Sequence, residues 1–225
     1  PAPAPAPAPA PKALTAAQAS QSHDPALVNA RPDPAEWEHF DLEQPQFKRF
    51  QRGNAVHDTL AGLEMVEAYE VYKHRTREEI YCILKVGSRL NGYPGILHGG
   101  ISALLLDTSY GWLFISTGLP PAVTANLDVN YRAPIKQNSL CILRARVDQV
   151  KGRKLYMSAT LSDITGANVT GGVTGAKGVT GAGVTGGVTG VTGVVGRVCV
   201  ESSTLFVTMK PWDQFLLRLG GWVGM

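Results

Sequence analysis

Apolar positions recur with two different periods between residues 60 and 163, and the change of period marks the elements. Leu63–Tyr72 (LEMVEAYEVY) alternates roughly every second residue, as a half-buried strand does. Glu79–Val86 (EIYCILKV) follows after a polar turn at His74–Arg77, so the two runs predict an antiparallel hairpin. Asn91–Gly95 (NGYPG) is a turn-rich loop. The pattern then becomes helical and continuous: Ile101, Ala103, Leu104, Leu105 and Leu106, then Trp112, Leu113, Phe114 and Ile115. This predicts a buried helix over 101–118, stopped by Gly118-Leu119-Pro120-Pro121. Three strands are predicted after it, Ala122–Tyr131, Leu140–Val150 and Lys154–Ser162, the last two joined at Lys151-Gly152-Arg153.

Upstream, Asp33-Pro34-Ala35-Glu36 has a capping residue followed by proline, which predicts a short helix through Trp37 and Phe40. A second is expected around Phe47–Gln51. Downstream, Arg197–Met209 reads as a last strand, and Pro211-Trp212-Asp213 as the start of a terminal helix through Leu219.

Two stretches break the pattern. The chain opens PAPAPAPAPAPKALTAAQASQ, and residues 1–30 are expected to be a Pro/Ala-rich linker or arm. The absence of an acidic residue before Asp24 fits a mature end left by a removed targeting peptide, hence an organelle, with the mitochondrion as the expected one; a fragment boundary is the other reading. Residues 164–196 repeat Val-Thr-Gly at irregular intervals of three to six residues. Such a run buries too little surface to offset its ordering entropy, so it reads as an insertion in a hairpin, where closure entropy grows slowly with length. A glycine-rich solenoid would need a regular period. The chain therefore divides into the arm (1–30), a domain (31–163), the insertion (164–196), a returning last strand (197–212) and a terminal helix and tail (213–225). One long apolar helix with about six antiparallel strands predicts an α+β fold, a sheet wrapped around the helix.

Composition narrows the function classes. With 21 Lys and Arg against 18 Asp and Glu, the net charge is only +3, and no basic run interleaves with aromatics, so nucleic acid is not suggested. A weak attraction to an anionic ligand is compatible with it. Cys82, Cys141 and Cys199 each lie in an apolar, strand-like run, spaced unlike a metal site, and read as small buried hydrophobes. No apolar stretch has the length needed to span a membrane.

The chemistry concentrates at the long helix. Its one carboxylate, Asp107, lies among apolar neighbours, where an ionisable group is costly unless paired or functional. Its mouth is His98-Gly99-Gly100, where free amides and the helix dipole can stabilise an oxyanion and glycine permits close approach. Asp107 lies eight residues beyond Gly99, roughly 12 Å along the axis at the usual rise. One chain's amide and carboxylate cannot easily meet at one carbon. If both serve one site, two helices must lie antiparallel, so the spacing argues for a homodimer with shared sites.

HGGISALLLD, followed by VTANLDVNYRAP and KGRKLYMSATLSD, resembles the His-Gly-Gly…Asp type of hotdog-fold acyl-CoA thioesterases. The resemblance covers roughly residues 60–163 and resumes at 197–209. It implies a dimeric hotdog fold that hydrolyses an acyl-CoA thioester to a free acid and coenzyme A, with no cofactor, since coenzyme A belongs to the substrate. It implies that Gly99 polarises the thioester carbonyl, Asp107 activates water or attacks directly, Thr124 assists Asp107, and His98 and Asn91 orient the thioester, with Gly100 beside them. Arg132, Lys151, Arg153 and Lys154 are candidates to hold the coenzyme A phosphates. Tyr110, Trp112, Phe114 and Leu119 are candidates for the acyl pocket, and His23, His39, His57 and His74 read as surface residues. Homodimer and dimer of dimers stay open, as does a catalytically silent hotdog subunit of a larger assembly, in the mitochondrion or elsewhere. A hotdog dehydratase would need a His and acid paired in another loop pattern.

Overall fold

The computed structural model describes residues 24–63, 65–166, 187–189 and 195–209. One antiparallel sheet forms the frame, with strands β1 (Trp37–His39), β2 (Val66–His74), β3 (Glu79–Val86), β6 (Ala122–Tyr131), β7 (Leu140–Lys151), β8 (Lys154–Asp163), β9 (Gly187–Thr189) and β10 (Val195–Thr208). Their order is β1-β2-β3-β7-β8-β10-β6, with β9 also paired to β10. A small separate hairpin, β4 (Asn91–Tyr93) and β5 (Ile96–Leu97), occupies the region read as a plain loop. Helices α1 (Pro25–Ala30), α2 (Pro45–Gln51) and α3 (Gly99–Ser116) complete the elements, with a π-helical stretch over Ala55–Leu60.

Helix α3 is the sausage of this hotdog. Leu105, Leu106, Tyr110 and Leu113 are fully buried, and with Ile80, Leu84, Leu143, Leu155, Met157 and Leu161 of the sheet they form the main core. The helix lies across the inner faces of β2, β3, β6, β7 and β8. This explains its nearly continuous apolar sequence: the curved sheet meets it on several sides. The aromatics Phe40, Phe47 and Phe50 close part of what the sheet leaves open.

Two further segments differ from expectation. Residues 25–30 are not linker: Asp24 caps α1 by accepting the Ala26 N–H at 3.0 Å, and Leu27 and Ala30 are buried. Helix α1 covers the outer face of the sheet, where Trp37, Tyr72, Tyr81, Ile83 and Ile142 form a second apolar cluster. Glu70 lies buried beneath it and is satisfied by Arg31 at 3.0 Å and the Tyr72 hydroxyl at 2.6 Å. Asp33 does cap, with its carboxylate accepting the Ala35 N–H at 2.8 Å, but only a turn follows and the chain enters β1. Pairing with β2 (Trp37↔His74, His39↔Tyr72) and burial of Trp37 outweigh the local helix signal.

The remaining strand boundaries agree with the sequence reading to within a few residues. All three cysteines are free thiols and buried. Most of the Val-Thr-Gly insertion and the expected terminal helix lie outside the described residues. So does most of the Pro/Ala arm, with His23.

Candidate active site

The site is assembled at the two ends of one helix segment, by α3 and the edge strand β6. At the helix start, the β4–β5 hairpin delivers His98 as the N-cap, its backbone N–H donating to Leu90 O at 2.8 Å. The His98 carbonyl receives the Ile101 and Ser102 amides at 2.9 and 3.3 Å. Its Nδ1 accepts the Gly100 N–H at 2.9 Å, which places the ring proton of neutral His98 on Nε2. The ring sits so close to Gly92 that a Cβ there would lie 2.8 Å from His98 Cδ2. Among the described residues, the Gly99 N–H has no hydrogen-bond acceptor. It is one of the donors that every helix start leaves open.

Tyr131, the last residue of β6, closes over the same point. Its hydroxyl donates to Gly99 O at 2.8 Å, and its ring would lie 3.2 Å from a Cβ at Gly99. Asn91 is on β4 opposite Leu97, with its Nδ2 donating to Gln137 Oε1 at 2.8 Å. Arg132 follows Tyr131 and forms an exposed ion pair with Glu201 at 2.8 Å.

Two turns further along α3, Asp107 is half-buried on the flank facing β6 rather than deep in the core. Thr124 donates from Oγ1 to Asp107 Oδ1 at 2.7 Å. The carboxylate is thereby oriented by one oxygen, and the other has no protein donor among the described residues. Near this end of β6 comes the β7–β8 turn, where Lys151 pairs with Lys154 and Arg153 Nε donates to Thr208 O at 2.9 Å. Thr208 is the partner of Ala122, two residues before Thr124.

The predicted residues thus fall into two groups in a single chain. Asn91, His98, Gly99, Gly100 and Arg132 lie at the start of α3. Asp107, Thr124, Lys151, Arg153 and Lys154 belong to its middle and to the far end of the sheet. The expected acyl-pocket residues do not share a face. Tyr110 and Phe114 pack on Phe206 of the sheet, whereas Trp112 faces Phe40, Phe47 and His57.

His57 is a correction to the sequence reading. It is not a surface residue: its Nε2 accepts the Trp112 indole N–H at 2.7 Å, and its ring packs edge-on to Tyr69 at 4.6 Å. Burial pushes its pKa down to about 4. Tyr69 in turn shares a 2.6 Å hydrogen bond with Ser109 of α3. No local signal announced this cluster, because its partners are about 12 and 55 residues away in sequence. His74 is a turn former, its Nδ1 accepting the Thr76 and Arg77 amides. His39 is exposed and packs on Tyr72.

Known proteins are similar to this chain over part of their length. Acyl-coenzyme A thioesterase THEM4 of Rattus norvegicus is 32% identical over 93 residues, 41% of this chain and 40% of the relative. The uncharacterized mitochondrial membrane protein FMP10 of Saccharomyces cerevisiae is 30% identical over 99 residues, 43% of this chain and 41% of the relative. The match therefore spans about two fifths of the length of these curated relatives. A hypothetical thioesterase protein of Streptococcus pneumoniae, solved with coenzyme A, aligns with a TM-score of 0.49 at 18% identity, covering 72% of this chain and 95% of that chain. The family resemblance of the His-Gly-Gly…Asp motif holds on the segment that carries it: residues 94–170, which contain every candidate site residue except Asn91, match the Thioesterase superfamily.

Proposed function

We propose that this protein is an acyl-CoA thioesterase whose sites are shared between two antiparallel copies. The observation that carries the reading is the division of labour along α3. An oriented carboxylate, Asp107 with Thr124, stands on one turn, and an open amide, Gly99, begins the helix. Curated relatives named acyl-coenzyme A thioesterase support it.

In this reading the Gly99 N–H of one copy and the dipole of α3 polarise the thioester carbonyl. Asp107 of the other copy accepts a proton from water through the oxygen that Thr124 leaves open, and the hydroxide forms a bond to the carbonyl carbon. The C–S bond then breaks, releasing the acid and the coenzyme A thiolate, which takes up a proton. His98 Nε2–H and Asn91 orient the thioester, with Gly100 locked beneath them. Antiparallel pairing also brings Arg132 of one copy toward Lys151, Arg153 and Lys154 of the other, a basic rim suited to the coenzyme A phosphates. The chemistry requires no metal or redox cofactor. A mitochondrial location is proposed from the printed name of the yeast relative.

The test is coenzyme A release across short, medium, long and aromatic acyl-CoAs, for the natural chain and for Asp107→Asn. We expect turnover by the natural chain and a loss of about 10²-fold or more in the variant. A folded dimer without turnover in either protein would overturn this reading in favour of a silent hotdog subunit.

A further inference from the structure

The geometry points to Tyr131 as a positioning residue that fixes the Gly99–Gly100 peptide and, through it, the orientation of the open Gly99 amide and of His98. The inference rests on the proposed role of Gly99 in polarising a carbonyl.

The argument begins with the strand. Tyr131 and Thr124 are seven positions apart, so a regular strand would point them to opposite faces. They both reach α3 because β6 carries a bulge. Asn126 pairs with Leu205 and Thr124 with Phe206, leaving Ala125 without a partner in β10. The bulge shifts the alternation by one, so Tyr131, Val129, Leu127, Thr124 and Ala122 lie opposite Val200, Ser202, Thr204, Phe206 and Thr208. All five partners are buried. One strand therefore touches both halves of the chemistry, Thr124 at Asp107 and Tyr131 at Gly99.

At Gly99 the contact is with a single peptide group. Its C=O accepts the Tyr131 hydroxyl at 2.8 Å, and its N–H, which belongs to Gly100, donates to His98 Nδ1 at 2.9 Å. Both polar ends of that peptide are held, which determines how the adjoining Gly99 N–H is aimed. The two bonds also reinforce each other. A donor on a peptide oxygen strengthens the same peptide's N–H as a donor. The chain Tyr131 hydroxyl, Gly99 carbonyl, Gly100 amide, His98 Nδ1 keeps the histidine proton on Nε2. The ring of Tyr131 lies against the Gly99 Cα where a Cβ would lie 3.2–3.3 Å from it, so glycine is what allows the hydroxyl to reach the carbonyl.

Tyr131→Phe removes the hydroxyl and leaves the ring. With the acyl-CoA that the natural chain turns over fastest, we expect kcat to fall about tenfold with KM unchanged within about twofold and an unchanged melting temperature. Amide hydrogen exchange supplies a readout that needs no activity: Gly100 should exchange faster in the variant, with Leu105 and Leu106 unaffected. Unchanged kcat in an active enzyme overturns the inference, as does a loss confined to KM or accompanied by general unfolding. If the natural chain shows no turnover, the thioesterase reading fails separately. The exchange comparison then decides the clamp, and an unaltered Gly100 rate overturns it.

Discussion

At the residue scale, His57 shows how a side chain's neighbours set its chemistry. Its Nε2 is occupied as an acceptor by the Trp112 indole, and burial holds its pKa at about 4, against 6.5 for a free histidine. The unfolded chain therefore binds a proton at this residue between pH 6.5 and about 4, where the folded chain does not. Stability falls as pH drops through that window, by about 1.4 kcal/mol per unit from this residue, and is independent of it above the window. His57→Gln keeps an acceptor but not the titration. Urea unfolding at pH 7 and pH 5 should show a smaller loss in the variant than in the natural chain. Equal losses would show that His57 does not couple protonation to folding. The same residue marks the limit of reading by motif. Asp107 and His98-Gly99 stand out through their spacing along a helix and Thr124 through the family resemblance of the next strand, and the structure joins Thr124 to Asp107 by a hydrogen bond. From sequence His57 reads as a surface residue, because its partners are distant along the chain and neither burial nor an indole donor leaves a local trace.

At the element scale, strands and the long helix were legible where periodicity and burial agree. The run of apolar residues in α3 and the alternation in β2, β3, β7 and β8 follow directly from one sheet wrapping one helix. The misread elements are short and held by tertiary contacts. Asp33 and Pro34 carry a true capping signal, yet the chain turns once and becomes β1, because the edge of β2 accepts it and Trp37 is buried on the outer face. Helix α1 follows a stretch of linker composition but seats Leu27 and Ala30 on the same cluster. Tyr81 anchors it, donating from its hydroxyl to Ala30 O at 2.9 Å. This outer layer is therefore expected to be part of the folding unit. Trp37→Ala, which empties its centre, should cost about 3–5 kcal/mol in equilibrium urea unfolding. A cost below about 1 kcal/mol would mean that α1 and β1 only decorate a sheet that is stable without them.

At the scale of the whole molecule, the separation of the two site groups becomes the strongest constraint on assembly. Helix α3 puts Gly99 and Asp107 roughly 12 Å apart along its axis, and no bend in it brings them together. Strand β6 is the last in the sheet order, and Val123 and Tyr131, one on each of its faces, are exposed there. The proposed two-fold arrangement would place each chain's Asp107 against its partner's helix start, and this makes a specific demand on mixed dimers. Asp107→Asn disables the acid. Gly99→Pro deletes the open amide at the first helical position, where proline's missing N–H and fixed φ suit a helix, and its ring also crowds Tyr131 of the same chain, so both effects disable the same helix start. Each variant alone should be inactive. A heterodimer of the two collects both defects in one site and leaves the other site intact. With equal, random mixing, half the dimers are mixed and each has one good site of two, so about a quarter of natural activity should return. Recovery near that level, with mixed dimers confirmed by differently tagged chains, establishes sites built from two copies. If mixed dimers form and no activity returns while the natural chain is active, each chain carries its own complete site, and the antiparallel arrangement derived from the helix spacing is wrong.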